Sequence, residues 1–96
     1  MLTLLPMRVD KFLKVSRLIK RREVAKQLCD AGYVQYEGKS AKPSTEVMPG
    51  GVLVLKLGRH TLTAKVLSLL PHANKESASS MYEILEDKIE RGNEDA

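Results

Sequence analysis

The chain of 96 residues contains one cysteine, no tryptophan and one phenylalanine. A single cysteine excludes an intramolecular disulfide, which is typical of proteins from a reducing compartment such as the cytoplasm. The longest apolar runs, such as 52–55, are too short to cross a bilayer, and we expect no membrane partner. The apolar start lacks the charged region of a secretion signal, so we expect residues 1–6 to form a flexible arm.

Residues that would support catalysis or hold a metal are also scarce. His60 and His72 stand alone, without the ligand spacing of a zinc site. The sequence contains no glycine-rich phosphate loop of the Walker type. Cys29 has no basic partner that the sequence places beside it, so we interpret it as a buried thiol. The sequence therefore predicts a protein that is not an enzyme and needs no metal and no cofactor.

Charge is abundant but unevenly distributed. Residues 7–28 hold eight Lys or Arg against two acidic residues, a net charge of +6, whereas residues 71–96 hold three against seven, a net charge of −4. A local field of one sign attracts polyanions, so the first segment favours phosphate backbones or anionic lipid. The alternative is a solvated basic surface without a ligand, and charge alone does not separate the two.

Apolar periodicity predicts two helices near the amino terminus. Asp10 is expected to cap the first helix, in which Phe12 and Leu13 face the core. A basic connection leads to a second helix over 21–31, which Gly32 should end. The sequence predicts no third helix before the strands begin, which disfavours a helix-turn-helix DNA reader.

The remainder of the chain predicts strands and turns, so the fold class is α+β. Strands are expected over 33–36, 52–57 and 62–69. The predicted organisation is a domain over 7–70, a linker over 71–80, a C-terminal helix over 81–91 and an acidic tail over 92–96.

Six short motifs in order resemble the S4-type RNA-binding domain, which is named after a small-subunit ribosomal protein. They lie in Arg8–Leu13, Ser16–Leu28, Gly32–Val34, Glu37–Lys39, Lys42–Pro43 and Pro49–Gly51. The resemblance covers about residues 7–57. It implies an S4-like fold with an alpha-L motif, in which two N-terminal helices pack on a small, mostly antiparallel sheet, followed here by a C-terminal helix.

Residues 11–22 and the region around 78–85 are similar to one S4-type subgroup, the ribosome-associated quality-control proteins of Firmicute-type bacteria. The resemblance implies binding to a stalled large ribosomal subunit that still holds peptidyl-tRNA, with contacts to large-subunit (23S) rRNA and to the tRNA. It also implies work with an alanine-tailing factor of the RqcH type. The alternatives are a large-subunit rescue or recycling factor of the heat-shock S4 type, which is a more distant relative, and an RNA-binding accessory subunit of an RNA-modifying enzyme.

The resemblance assigns candidate RNA-binding residues. Arg22 matches the family's key RNA-contacting arginine, and Arg8 is expected either to touch rRNA or to form a structural ion pair with Asp10 or a neighbouring residue. Asp10 is expected to be structural, as a cap or as a partner that orients an arginine. The other basic residues of the segment should share phosphate contacts diffusely: Lys11, Lys14, Arg17, Lys20, Arg21 and Lys26.

Three positions depart from the family pattern. Arg21 replaces the usual Ser or Thr cap, Glu37 replaces the Asn of a turn, and Gly51 replaces an Asp. An arginine at a helix start is unfavourable by about 0.3–1 kcal/mol if exposed, which suggests that an external anion sits there. Tyr33 and Tyr36 could each stack on a base, and we expect at least one of them to belong to the core.

Overall fold

A computed structural model of the chain describes residues 6–89. The helices are α1 (Val9–Val15), α2 (Arg22–Asp30) and α3 (Lys75–Ala78). The strands are β1 (Met7–Arg8), β2 (Val34–Tyr36), β3 (Lys39–Ser40), β4 (Glu46–Val47), β5 (Val52–Leu57), β6 (His60–Val66) and β7 (Tyr82–Ile89). β1 pairs with β4, and the other strands form one antiparallel sheet in the order β3-β2-β5-β6-β7. The predicted α+β class is confirmed.

The two N-terminal helices bury the faces that their spacing predicts. Phe12 and Leu13 are fully buried, as predicted, and so are Val9 and the C-cap residue Ser16, which share their face at i, i+3, i+4, i+7 spacing. The predicted core includes residues of both helices and of the sheet, and its largest buried side chains are Phe12, Leu13, Leu53, Leu55 and Met81. The helix pair therefore packs on one face of the sheet.

The connection between α1 and α2 contains a strained residue. Arg17 has a φ of 64°, in the left-handed region that favours glycine. The backbone N–H of Ser16 donates to the carbonyl of Phe12 (2.9 Å), and that of Ile19 donates to the carbonyl of Leu13 (3.0 Å). These bonds satisfy carbonyls at the end of α1 and turn the chain sharply toward α2.

The turn between β2 and β3 explains one departure from the family pattern. Glu37 and Gly38 both have positive φ, 53° and 81°, as a two-residue hairpin turn of the I′ type requires. The Glu37 carboxylate accepts a hydrogen bond from the backbone N–H of Val52 (2.8 Å). A glutamate in place of asparagine thus ties the turn to the start of β5.

The predicted C-terminal helix over 81–91 is wrong for the described residues. Tyr82–Ile89 is strand β7, which pairs with β6 along its whole length. Leu85 is an extra residue between two paired positions and forms a β-bulge, so apolar residues in an extended strand acquire helical spacing. Pairing with the open edge of β6 provides backbone hydrogen bonds that a short isolated helix does not match, because helix nucleation is costly.

The predicted linker over 71–80 contains helix α3. Asn74 accepts a hydrogen bond from the backbone N–H of Ser77 (2.8 Å), and the Ser77 hydroxyl accepts one from the backbone N–H of Asn74 (3.0 Å). This capping box stabilises a single helical turn before β7. Most of the predicted arm, residues 1–5, and the predicted acidic tail, residues 92–96, lie outside the described residues.

Between residues 6 and 89, every helix is too short or too polar to cross a membrane.

Candidate RNA-binding surface

A buried carboxylate joins the starts of the two helices. Asp10 is fully buried and accepts two hydrogen bonds from Arg8, from Nε (3.2 Å) and from Nη2 (3.1 Å). It also accepts from Nη2 of Arg22 (3.4 Å) and from the backbone N–H of Lys11 (2.7 Å). One acid thus holds two arginines that are 14 residues apart in the sequence.

Both arginines remain accessible to a ligand while Asp10 holds them. The side chain of Arg8 is 48% exposed and that of Arg22 is 42% exposed. Each guanidinium has five N–H donors, so donors remain for a phosphate after the bonds to Asp10 are made. Nε of Arg22 is buried and has no hydrogen-bond partner among the described residues. The outward-facing nitrogens are therefore the ones available to bind.

The environment of Asp10 keeps it ionised at neutral pH. Burial raises the pKa of Asp10, but hydrogen bonds from Arg22 and Arg8, the charge of Arg22 and the Lys11 N–H lower it, so its pKa lies below the ordinary value. The cluster therefore combines two guanidinium cations with one carboxylate anion. Its net charge of +1 faces solvent through the arginines.

The structure decides between the two roles predicted for Asp10. The N-cap of α1 is Arg8, which has extended backbone and no side-chain cap bond. The expectation that Asp10 caps α1 is therefore wrong, and the contacts of its carboxylate with Arg8 and Arg22 are those of a partner that orients arginines. The predicted ion pair of Arg8 with Asp10 is present, and because Arg8 is half-exposed, the pair leaves it free to touch RNA as well.

The start of α2 lacks the Ser or Thr cap that is usual in the family. Arg21 occupies the N-cap position, is exposed, and makes no side-chain cap bond. Arg22 is the first helical residue, and Lys26 lies one turn further on the same side. Of these three cations, Asp10 orients Arg22 alone.

Lys14 and Arg17 lie beside the segment that precedes α3, a contact that the sequence did not predict. They line a groove together with Pro71, His72 and Ala73, which precede α3. In the sequence His72 was considered only as a zinc ligand. Here it adds a ring nitrogen beside two predicted phosphate-binding residues.

A second groove extends the surface beyond Arg8. Lys42 lines it with Arg8, next to Pro43 and Ser44. In the sequence Lys42 appears only within the Lys-Pro motif, and only the folded chain brings its loop to the start of α1. The Lys-Pro motif of the resemblance is the signal that could have placed it in the site.

The remaining candidates surround these clusters. Lys20, Arg21 and Lys26 are exposed and Lys11 is half-buried. Their side chains make no ion pair or hydrogen bond within residues 6–89. Arg8 and Arg22 are thus the two predicted RNA-binding residues that a buried carboxylate holds in place, whereas these four have no bonded partner among residues 6–89.

The two tyrosines divide as expected. Tyr36 is half-buried, packs against the core, and its hydroxyl accepts a hydrogen bond from the backbone N–H of Met48 (3.0 Å). Its ring also lies where a Cβ on Gly51 would be, which explains a glycine at that position. Tyr33 is 47% exposed. Tyr36 is therefore structural, and Tyr33 is the tyrosine accessible to a ligand.

Cys29 is the buried thiol that the sequence predicts. It is 4% exposed, and burial, together with the charges of Asp10 and Asp30, raises its pKa to about 11. It therefore remains protonated and unreactive at neutral pH. Among residues 6–89 no group of three or more His, Cys, Asp or Glu side chains could hold a metal ion.

Comparison with known proteins identifies the family of this chain. The S4 domain family matches residues 7–53. The RQC P-site tRNA stabilizing factor of Listeria innocua is 49% identical over 82 residues, which cover 85% of this chain and 89% of that protein. The factor of the same name from Bacillus subtilis is 46% identical, with 85% and 95% covered. The trimeric structure of Vibrio cholerae heat shock protein 15 has a TM-score of 0.77 at 28% identity, with 83% and 82% covered.

Proposed function

The chain belongs to the S4-domain family of the RQC P-site tRNA stabilizing factors, and from this membership we propose that it binds the stalled large ribosomal subunit together with peptidyl-tRNA. Its role is in ribosome quality control. We place its RNA contacts on the surface around Arg8 and Arg22, extended by the six other basic residues of the N-terminal segment: Lys11, Lys14, Arg17, Lys20, Arg21 and Lys26.

The hydrogen bonds that Arg8 and Arg22 donate to Asp10 are the observation that carries this proposal. A flexible arginine loses side-chain freedom when it binds a phosphate, which costs about 0.5–1.5 kcal/mol for each ordered side chain. Asp10 orders both guanidinium groups before the ligand arrives, so part of that cost is met in folding. Planar guanidinium groups held at the surface suit the two-point recognition of phosphate oxygens.

Within this proposal the protein acts by binding and not by catalysis. It contacts large-subunit (23S) rRNA and the P-site tRNA, and holds the tRNA while a tailing factor of the RqcH type extends the nascent chain with alanines. Such a role requires affinity and orientation, which the arginine cluster provides. A ribosomal partner also makes the cytoplasm the expected location.

Sedimentation with large subunits tests the assignment. We expect Arg22→Ala to weaken co-sedimentation with subunits that carry peptidyl-tRNA by at least about tenfold, since charge-assisted hydrogen bonds are worth about 1.5–3 kcal/mol. Arg22→Lys should recover only part of the binding, because an ammonium group lacks the planar fork. Lys75→Ala removes one exposed cation from α3, outside the proposed surface, and should leave binding unchanged.

The control separates this surface from general attraction. Equal losses from Arg22→Ala and Lys75→Ala would mean that only net charge matters. Full retention of Arg22→Ala on the subunit would contradict the assigned surface.

A second candidate is a large-subunit rescue or recycling factor of the heat-shock type, favoured by the fold similarity to heat shock protein 15. The higher identity to the quality-control factors makes it the less supported choice. The two differ in their product. Deleting the gene should abolish alanine tails on stalled chains if the protein supports tailing, and leave those tails intact if it only recycles subunits.

A further inference from the structure

The five-stranded sheet has a face that the N-terminal helices do not cover. Val34, Leu53, Leu55 and Ala64 point toward the helices and are buried. The alternate positions point the other way, and the register places Gln35 beside Val54, and Lys56 beside Thr61. On this second face Gln35 and Lys56 are exposed and Val54 is partly exposed.

An exposed aromatic ring lies at one corner of this face. Phe12 is buried, and Tyr36 and Tyr82 pack against the core, whereas Tyr33 is 47% exposed. The Tyr33 hydroxyl makes no hydrogen bond within the described residues. The ring therefore contributes little to the fold for its size, although an exposed aromatic favours association with other molecules.

The backbone of Tyr33 is fixed although its ring is open. Its N–H donates to the carbonyl of Leu28 (2.9 Å), and its carbonyl accepts from the N–H of Lys56 (2.8 Å). The first bond ties the ring to the end of α2 and the second ties it to β5. A ring that is exposed on a fixed backbone suits stacking, because little conformational entropy of the protein is lost when a ligand binds.

Lys56 is the cation beside the Tyr33 ring. Two shallow clefts adjoin Tyr33, and Lys56 lines both of them. The other lining residues are Leu28, Gly32, Gln35, Val54, Gly58 and Thr61. None of these is acidic. On this face the acids of β7, such as Glu86, are two strands and about 10 Å from β5, and Glu37 lies at the opposite end of β5 from Lys56, where it binds the N–H of Val52.

We infer that Tyr33 and Lys56 form a second RNA site, in which an unpaired base stacks on the Tyr33 ring and the Lys56 ammonium contacts its phosphate. The inference rests on the proposed function for the nature of the ligand. Every base has a π-face, so the site should tolerate any sequence. Helix α2, nine residues and about 13 Å long, separates this site from Arg22, so the two sites contact different segments of RNA.

Binding of a short fluorescein-labelled oligouridylate, which has no double-stranded structure, tests this site on the full chain. We expect Tyr33→Ala to weaken binding about tenfold, because stacking is worth about 1–3 kcal/mol per base. Tyr33→Phe should bind like the original protein, and Tyr33→Leu, which keeps apolar bulk without a π-face, should be as weak as Tyr33→Ala. Lys56→Gln should weaken binding less and lower the salt slope by about 0.7.

Leu67→Ala is the matched control, because Leu67 is similarly exposed at 44% and lies outside both clefts. It should leave oligouridylate binding unchanged. Unchanged binding by Tyr33→Leu, or equal weakening by Leu67→Ala, would overturn the site. A protein partner in place of RNA would appear as failure of every Tyr33 variant to alter oligouridylate binding.

The arginine variant separates this inference from the proposed function. If Arg22→Ala releases the subunit while the Tyr33 variants bind oligouridylate normally, the stacking site is wrong and the proposed function stands. If Arg22→Ala stays on the subunit while Tyr33→Leu loses oligouridylate, the second site stands and the arginine surface is wrong.

Discussion

The two ends of the domain hold their charges in different ways. At the helical end, Arg8 and Arg22 are fixed by the buried carboxylate of Asp10. At the β6–β7 end, the acids are exposed, and the contact of His60 Nδ1 with Asp87 Oδ1 (3.1 Å) joins two side chains that are each 51% exposed. Surface pairs of that kind contribute about 0–1 kcal/mol and fix little geometry.

Because of this difference, we expect the helical end to recognise a ligand and the β6–β7 end to affect only how the ligand approaches. The helical end can discriminate between ligands, because its arginines have defined directions. The acidic end has charge without fixed direction, so it can only repel a polyanion and turn the molecule during approach. We therefore expect variants at the two ends to change RNA binding by different amounts, even where they change the net charge equally.

The largest expected effect comes from Asp10→Asn, which disturbs geometry while making the protein more positive. A view based on charge alone predicts tighter RNA binding. Because the amide brings donors to a position that now accepts from two arginines and Lys11, we expect weaker binding to large subunits by about tenfold. The free energy of unfolding should fall by about 1–3 kcal/mol, the cost of unsatisfied buried groups. Sedimentation and urea unfolding measure the two.

Glu23→Gln is the control for this prediction. Glu23 is exposed in the first turn of α2, and its replacement adds the same charge without touching the cluster. It should keep or slightly tighten RNA binding. If Asp10→Asn binds more tightly than the original protein, the two ends differ only in the sign of their charge.

The sequence predicts the structure of the helical end better than that of the β6–β7 end. At the helical end local patterns agree with the fold, so the faces of α1 and the glycine stop of α2 are confirmed. The resemblance pointed to Arg22, but only the folded chain shows that Asp10 contacts it. Contacts between residues distant in sequence carry no local signal unless a family pattern provides it.

At the β6–β7 end local pattern and tertiary context disagree. The spacing of Met81, Ile84, Leu85 and Ile89 is helical, yet the segment is a strand, because the bulge at Leu85 shifts the alternation. Ile84, Leu85 and Ile89 are exposed, so the apolar face that would have signalled a helix is not buried. The open edge of β6, which decides the matter, is not visible in the segment's own sequence.

A smaller effect is expected from Arg17→Gly at the turn after α1. Glycine removes the strain of a φ of 64°, which costs about 1–2 kcal/mol for a side chain with a Cβ. We expect unchanged or higher thermal stability together with RNA binding weakened about threefold, the scale of one lost phosphate contact. A strained arginine where glycine would fit suggests that its side chain serves binding. Differential scanning calorimetry and subunit binding report the two effects.

Arg17→Ala sharpens the result, because alanine keeps the strain and removes the guanidinium. It should lose as much RNA affinity as Arg17→Gly without the gain in stability. If Arg17→Gly binds RNA normally, the basic turn belongs with the unorganised charges and not with the recognition surface.

The smallest effect concerns the acidic end. Glu86 lies on the uncovered sheet face opposite Thr63, with no cation directly across from it. If this end only repels RNA, Glu86→Gln should raise affinity for an unrelated RNA duplex about twofold at low salt and have no effect at high salt, where the Debye length falls to about 3 Å. Glu76→Gln on α3 gives the same net charge at another place. An equal rise from both variants means that net charge acts as a whole. A larger rise from Glu86→Gln means that the position of β7 beside the sheet face determines which way RNA approaches, because the screened field of one carboxylate reaches only its own side of the molecule.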